Sequence, residues 1–165
     1  MSTVGSRVLT QYPPPPDNVV WGMIKLESVT SVCWRPRCSV PSCRVEASKD
    51  CELTPGRDEV TRLNTAGQLG LGEWCIIPSM NNNDIELEVV VCQGPGGSWR
   101  YSEDDNTMRY TAEVETEDGS VEVQDLCAEM RGLYGLMRMS LCNKNITSQK
   151  WIWQEYKPYW APNTL

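Results

Sequence analysis

The segment that decides the fold is "SLCNKNITSQKWIWQEY", Ser140–Tyr156, near the end of the 165-residue chain. It runs as a short strand into Cys142, turns, and ends in an aromatic strand. The same order of features occurs earlier, where "IELEVVVC" ends at Cys92 and "GPGGSWRY" ends at Tyr101. Alternation of polar and apolar residues is typical of a half-buried β-strand. We therefore interpret the segment as the closing part of a repeated unit.

The cysteines repeat together with the strands. Six of the eight cysteines form three successive pairs, with separations of 18, 17 and 15 residues, namely Cys33–Cys51, Cys75–Cys92 and Cys127–Cys142. A short polar-apolar stretch precedes the first cysteine of each pair, and a turn-prone loop follows it. Because the spacing recurs three times, we predict one disulfide within each unit.

The two remaining cysteines, Cys38 and Cys43, lie inside the first pair. We predict that they form a local disulfide, which closes a short loop containing Pro41. The alternative is a zinc site of four thiolates shared with Cys33 and Cys51, but zinc ribbons usually carry cysteines in pairs about two to four residues apart. The chain also has no histidine to act as a nitrogen ligand. We therefore expect disulfides in an oxidising compartment, and neither a metal nor another cofactor.

The composition restricts the location and the partners of the chain. A net charge of -7 argues against nucleic acid, because phosphates demand a basic surface. No apolar run approaches the length of a transmembrane helix, and the N-terminal stretch lacks the apolar core of a signal peptide. We expect a secreted protein, or one in the lumen of the Golgi or the endoplasmic reticulum, whose leader lies outside this sequence.

Three units of about four short strands each, with no convincing helix, predict an all-β fold: a β-trefoil of three disulfide-stapled repeats. The first repeat is degenerate, because Val60 stands where a tryptophan is expected. The acidic connection before the third repeat contains Asp118-Gly119, a strong hairpin signal. We place an extended Pro-rich segment at 1–20, the β-trefoil at 21–157 with repeats at about 21–64, 65–111 and 121–157, and a C-terminal tail at 158–165.

The last unit resembles a known repeat. "DLCAE" followed by "CNKNITSQKW" is similar to the ricin-type lectin repeat, whose pattern is Cys-Leu-Asp, then Cys, then Gln-x-Trp, here Gln149 and Trp151. "QYPPPPDNVVWGMIKLESVTSVC" looks like the linker and first strand of the C-terminal lectin domain of polypeptide GalNAc-transferases, and "CQGPGG" resembles its Cys-His-Gly-x-Gly-Gly turn. The resemblance covers roughly Tyr12–Tyr156. It implies a module that binds glycans or glycoproteins of the GalNAc or galactose type, alone or detached from a glycosyltransferase.

The resemblance also implies where a sugar would bind. In the family, an aspartate two residues after the first cysteine accepts hydrogen bonds from sugar hydroxyls. That place is occupied by Arg35, Ile77 and Glu129 in the three units. Only Glu129 carries an acceptor, so the third unit is the expected site. We expect Tyr134 to supply a stacking face and Asn143 or Asn145 to supply an amide.

Neighbouring residues support or complicate that site. The resemblance implies that Trp151 fills the barrel core and that the Gln149 side chain bonds nearby backbone, because a buried amide needs partners. Asn145 begins the sequon "NIT", and a glycan there would crowd the pocket. The alternative for Glu129 is a solvated loop carboxylate. We expect Glu129→Gln to abolish sugar binding and to leave the melting temperature nearly unchanged, because an exposed carboxylate contributes little to stability.

The sequence gives little evidence of a catalytic site. The chain has no histidine to act as a general base, and every cysteine is assigned to a disulfide. We therefore expect a binding module and not an enzyme. The alternative function is a β-trefoil that has lost sugar binding and serves as a protein-binding or inhibitory scaffold, because two of the three acid positions are occupied by other residues.

Overall fold

A computed structural model describes residues 19–39, 42–49, 51, 60–64, 66–72, 74–92 and 97–156 of the chain. Within these residues the chain forms twelve β-strands and one 3-10 turn at Thr147–Gln149, and no α-helix. None of the described segments is a helix of the length and apolarity needed to span a membrane. The Pro-rich segment predicted at 1–20 lies outside the described residues up to residue 18, and the tail predicted at 158–165 lies wholly outside them.

The strands fall into three groups of four along the chain. The first group is β1 (Val19–Leu26), β2 (Cys33–Ser39), β3 (Ser42–Ser48) and β4 (Thr61–Asn64). The second is β5 (Leu69–Leu71), β6 (Trp74–Asn81), β7 (Asp84–Val90) and β8 (Trp99–Ser102). The third is β9 (Thr107–Glu115), β10 (Val121–Glu129), β11 (Arg138–Leu141) and β12 (Trp151–Glu155).

The pairing of the strands repeats three times. The first strand of each unit pairs with the last strand of the unit before it, giving β1–β12, β5–β4 and β9–β8. It also pairs with the second strand of its own unit, which in turn pairs with the third. The third strands meet one another, because β7 pairs with both β3 and β11. The fold is a β-trefoil, in which three hairpins cap a ring of first and fourth strands.

Tryptophans from the fourth strands fill the core. Trp99 and Trp151 each begin a fourth strand and are buried. Each indole donates its Nε1 hydrogen to the carbonyl oxygen of the residue after a first cysteine, Ile76 at 2.8 Å and Ala128 at 2.9 Å. The buried Trp34 lies edge-on to Trp151, with ring centroids 5.6 Å apart. These contacts explain why Trp151 belongs to the core, as expected.

The eight cysteines form four disulfides: Cys33–Cys51, Cys38–Cys43, Cys75–Cys92 and Cys127–Cys142. The three longer disulfides each join positions within one unit, which is the pairing that the repeated spacing predicts. No free cysteine remains to ligate a metal. The alternative of a four-thiolate zinc site is therefore wrong.

The acidic connection before the third unit is a hairpin. Gly119 has a φ of +85°, and the Asp118 side chain accepts a hydrogen bond from the Ser120 backbone N–H at 3.0 Å. This turn joins β9 to β10, which pair from Arg109 and Cys127 to the tip. The third unit therefore begins with β9, before the boundary at 121 that the sequence indicates, because β9 pairs with strands on both sides.

Candidate functional site

A surface depression of about 790 Å³ lies at the end of the β10–β11 hairpin in the third unit. Glu129, Arg138 and Ser140 form its strand side, and residues 141–146 form the rest of its wall. Three of the four side chains that the sequence assigns to a sugar site are therefore brought together, since Asn143 and Asn145 belong to that wall.

Glu129 lies at the inner side of the depression and is buried. Its Oε2 accepts hydrogen bonds from Arg138 Nε at 3.0 Å and Arg138 Nη2 at 2.6 Å. Its Oε1 accepts from Ser140 Oγ at 2.7 Å and Gln149 Nε2 at 2.9 Å. Because an ionised carboxylate offers about four lone-pair sites, Glu129 is fully engaged by the protein. The alternative of a solvated loop carboxylate is wrong. The expectation that Glu129→Gln leaves the melting temperature unchanged also loses its premise, because this carboxylate is not exposed.

The surroundings of Glu129 hold it in the charged form. Burial raises the pKa of this carboxyl, but hydrogen bonds from Ser140, Arg138 and Gln149 and the charge of Arg138 outweigh burial. The pKa consequently lies below the usual 4.5. Glu129 and Arg138 therefore form a charged pair at neutral pH.

Gln149 is fully buried and ties the loop of the depression to the strands. Its Oε1 accepts a hydrogen bond from the Asn143 backbone N–H at 2.9 Å, and its Nε2 donates to the Leu141 carbonyl at 3.0 Å. The Asn143 side chain in turn accepts from the Asn145 backbone N–H at 2.9 Å. Gln149 thus bonds nearby backbone as expected, and it fixes the loop that carries both asparagines.

Tyr134 is not among the residues that line the depression. Its backbone N–H donates to the Ala47 carbonyl at 2.6 Å, and its own carbonyl accepts from Arg37 Nη1 at 3.3 Å. These contacts attach the loop of the third unit to the hairpin of the first unit. The structure does not bring Tyr134 together with Glu129, Asn143 and Asn145, so the expected stacking face is not supplied at this site.

The second unit has a pocket at the equivalent place, with a volume of about 490 Å³. Relative to the cysteines and the core tryptophan, Ile77 stands where Glu129 does, Val90 where Ser140 does, and Gly97 where Gln149 does. These three polar side chains of the third unit are therefore replaced by apolar residues or by glycine. The second-unit pocket therefore has no carboxylate at the position of Glu129.

Cross-strand register identifies a residue that the sequence reasoning missed. Glu129 pairs with Arg138 across the hairpin of the third unit. The same register pairs Ile77 with Glu88 in the second unit, and Arg35 with Glu46 in the first. The partner of the acid position is thus a cation only in the third unit. The register of the hairpin, counted outward from its turn, indicates Arg138 as the partner of Glu129. The spacing from the cysteines does not indicate it.

Comparison with known proteins gives two sequence relatives, and no protein-family model matches the chain. The chain is 25% identical over 160 residues to N-acetylgalactosaminyltransferase 7 of Drosophila melanogaster, a match that covers 97% of this chain and 24% of that protein. It is 24% identical over 156 residues to probable N-acetylgalactosaminyltransferase 7 of Caenorhabditis elegans, covering 94% and 23%. The chain spans about a quarter of the length of these relatives.

Two solved structures share the fold. The crystal structure of GalNAc-T7 with UDP, GalNAc and Mn2+ superposes with a TM-score of 0.66 at 22% identity, covering 87% of this chain and 24% of that chain. The β-trefoil lectin of the Vibrio vulnificus hemolysin/cytolysin, with N-acetyl-D-lactosamine bound, gives 0.61 at 11% identity, covering 84% and 96%. These likenesses show that the chain has the fold of a β-trefoil lectin.

Proposed function

We propose that the chain is a carbohydrate-binding module and that the depression of the third unit is its binding site. The observation that carries this proposal is the joint position of Glu129, Asn143 and Asn145, which the sequence assigns to a sugar site and which line one depression. The lectin fold and the similarity to N-acetylgalactosaminyltransferases support it. Glycans of the GalNAc or galactose type are therefore the first ligands to test.

The polar groups of the depression fit sugar hydroxyls, which both donate and accept hydrogen bonds. The Asn143 and Asn145 amides offer both kinds of atom. Glu129 is saturated by its protein partners, so its role is to hold Arg138 and Ser140 in place at the wall. A sugar would contact the loop and the outer side of Arg138 before it reached the carboxylate.

The module would bind ligands, and catalysis would take place in another domain, because the chain spans only about a quarter of the length of its relatives. Four disulfides fit the lumen of the secretory pathway or the extracellular space. Attachment of a glycan to Asn145 stays a prediction. That asparagine is exposed, but a glycan on it would occupy part of the wall.

NMR titration of ¹⁵N-labelled protein without a glycan on Asn145 tests the site. With galactose or GalNAc at about 10 mM, we expect the amide signals of residues 140–146 to shift, while those around Ile77 stay in place. Asn143→Ala should weaken the response several-fold, and Gln124→Ala, which removes an amide outside the depression, should not. Unmoved signals at 140–146 would refute the sugar site.

A second candidate function, the protein-contact scaffold, has one observation in its favour. Val121 and Val123 on β10 are 61% and 69% exposed, and pairing with β11 begins only at Leu126. Apolar side chains beside a strand edge that no other described strand pairs with are typical of a contact surface. The same titration distinguishes the two functions, because a scaffold without a sugar site leaves residues 140–146 unmoved.

A further inference from the structure

We infer that the depression of the third unit selects glycans that carry an anionic group, a carboxylate or a sulfate on the sugar. This inference rests on the proposed function, since it names the class of ligand for the same site. It concerns Arg138 and Lys144, neither of which the sequence reasoning assigned to sugar binding.

The depression carries a net positive charge. Glu129 is the one acidic residue among the described residues of its wall, and Arg138 neutralises it through two hydrogen bonds. Lys144 adds a second cation, is exposed, and makes no ion pair with the described residues. The whole chain has a net charge of -7, so this site has the opposite sign from the protein around it.

Arg138 is positioned to bind an acceptor from solvent. Glu129 uses its Nε and Nη2, whereas Nη1 has no hydrogen-bond partner among the described residues. The side chain is 38% exposed. A guanidinium and an ammonium only donate hydrogen bonds, and an ionised acceptor adds the attraction of opposite charges, which a neutral hydroxyl does not offer. Arg138 and Lys144 therefore favour an anionic acceptor over a hydroxyl.

The other two units show that this arrangement is particular to the third. Glu46 and Glu88 take the register position of Arg138, so those hairpins present an acid there. Two arginines of the first hairpin are paired with the same acids, because Arg37 lies 3.9 Å from Glu46 and Arg44 lies 3.7 Å from Glu88. An anion is consequently expected to prefer the third unit to the corresponding places of the other two.

The test compares three ligands with one neutral core: lactose, 3′-sialyllactose and lactose 3′-sulfate. Each is titrated into ¹⁵N-labelled protein without a glycan on Asn145, and dissociation constants are read from the signals of residues 140–146. We expect both anionic ligands to bind at least about tenfold more tightly than lactose, the gain of a hydrogen bond to a charged group. A gain for only one of them identifies which anion the site accepts.

Lys144→Gln removes one cation without touching the Glu129 network. It should weaken binding of the anionic ligands several-fold and leave lactose unchanged. Lys49→Gln makes the same change of charge at an exposed lysine outside the depression and should affect none of the three. Arg138→Lys keeps a cation beside Glu129 and should reduce the preference for the anionic ligands.

The possible outcomes distinguish a failure of the anion preference from a failure of the proposed sugar site. Equal affinity for the three ligands, with shifts at residues 140–146, overturns the selectivity and retains the sugar site. An equal loss in Lys144→Gln and Lys49→Gln also overturns it, because the effect would then come from net charge alone. Absence of any response to all three ligands overturns both the sugar site and its selectivity.

Discussion

Replacing Glu129 by glutamine tests the central interaction of the site. The substitution keeps the size of the side chain but turns one carboxylate oxygen into an amide group. Glu129 accepts four hydrogen bonds, at 3.0 and 2.6 Å from Arg138, 2.7 Å from Ser140 and 2.9 Å from Gln149. A glutamine side chain keeps one acceptor oxygen and carries an NH2 group in place of the other. In either orientation, that NH2 group faces a donor group, either of Arg138 or of Gln149.

The size of the expected loss of stability follows from the burial of Glu129 and Arg138. Removing one member of a buried ion pair costs about 3–5 kcal/mol. Arg138 is 38% exposed and regains water when its partner is lost, which reduces the cost. We expect the free energy of unfolding to fall by about 2–3 kcal/mol, and the melting temperature by roughly 4–12 °C.

Urea denaturation of the disulfide-bonded protein at pH 7 measures this change. Glu103→Gln, the same chemical change at an exposed position, is the matched control and should stay within about 0.5 kcal/mol of the wild type. The difference between wild type and Glu129→Gln also depends on pH. Because the pKa of Glu129 is lowered in the folded state, its contribution is present above the usual value of 4.5 and is lost as the pH falls through the folded pKa. A stability within about 0.5 kcal/mol of wild type at pH 7 would refute the buried network.

Three further changes follow from the same structure. Trp151→Ala removes a fully buried indole and should lower the free energy of unfolding by about 3–5 kcal/mol in urea denaturation. Gln149→Ala leaves the Asn143 backbone N–H without its acceptor, so amide hydrogen exchange in residues 141–146 should become faster while that of β6 is unchanged. Burial raises the pKa of Asp105, but hydrogen bonds from Thr107, Arg109 and Ser102 outweigh it and lower the pKa from 3.8 to about 2. Asp105→Asn should therefore reduce stability above about pH 4, and acid titration of both proteins should show this difference shrinking as the pH approaches 2.

The fold could be predicted because its main signals are local and repeated. The three similar cysteine separations indicate the units and their disulfides, since each disulfide joins residues that are close along the chain. Asp118-Gly119 indicates a hairpin because Gly119 adopts a positive φ and the Asp118 side chain accepts a backbone hydrogen bond in the turn. The sequence does not indicate that β9 opens the third unit, because β9 is recognisable only through its pairing with β8 and β10.

The site could be predicted only in part, because its geometry depends on contacts between strands. The distance to a cysteine indicates Glu129, but the partners that engage its carboxylate, Arg138 and Ser140, lie on the neighbouring strand. Tyr134 follows a loop whose path is set by Ala47, a residue of the first unit. The first contact requires the register of the hairpin, and the second joins residues that are far apart in the sequence.

The pairing of β1 with β12 has a consequence for how the chain folds during synthesis. Gly22 pairs with Glu155 and Leu26 pairs with Trp151. One edge of β1 therefore stays uncovered until β12, the last strand, has been made. Contacts between residues so far apart in the sequence form slowly, because closing the long loop costs entropy before the contact contributes any stability. A nascent chain that has emerged only through the second unit holds an exposed strand edge, which is a site for wrong association. Nearly the whole repeat array must therefore leave the ribosome before the barrel can close.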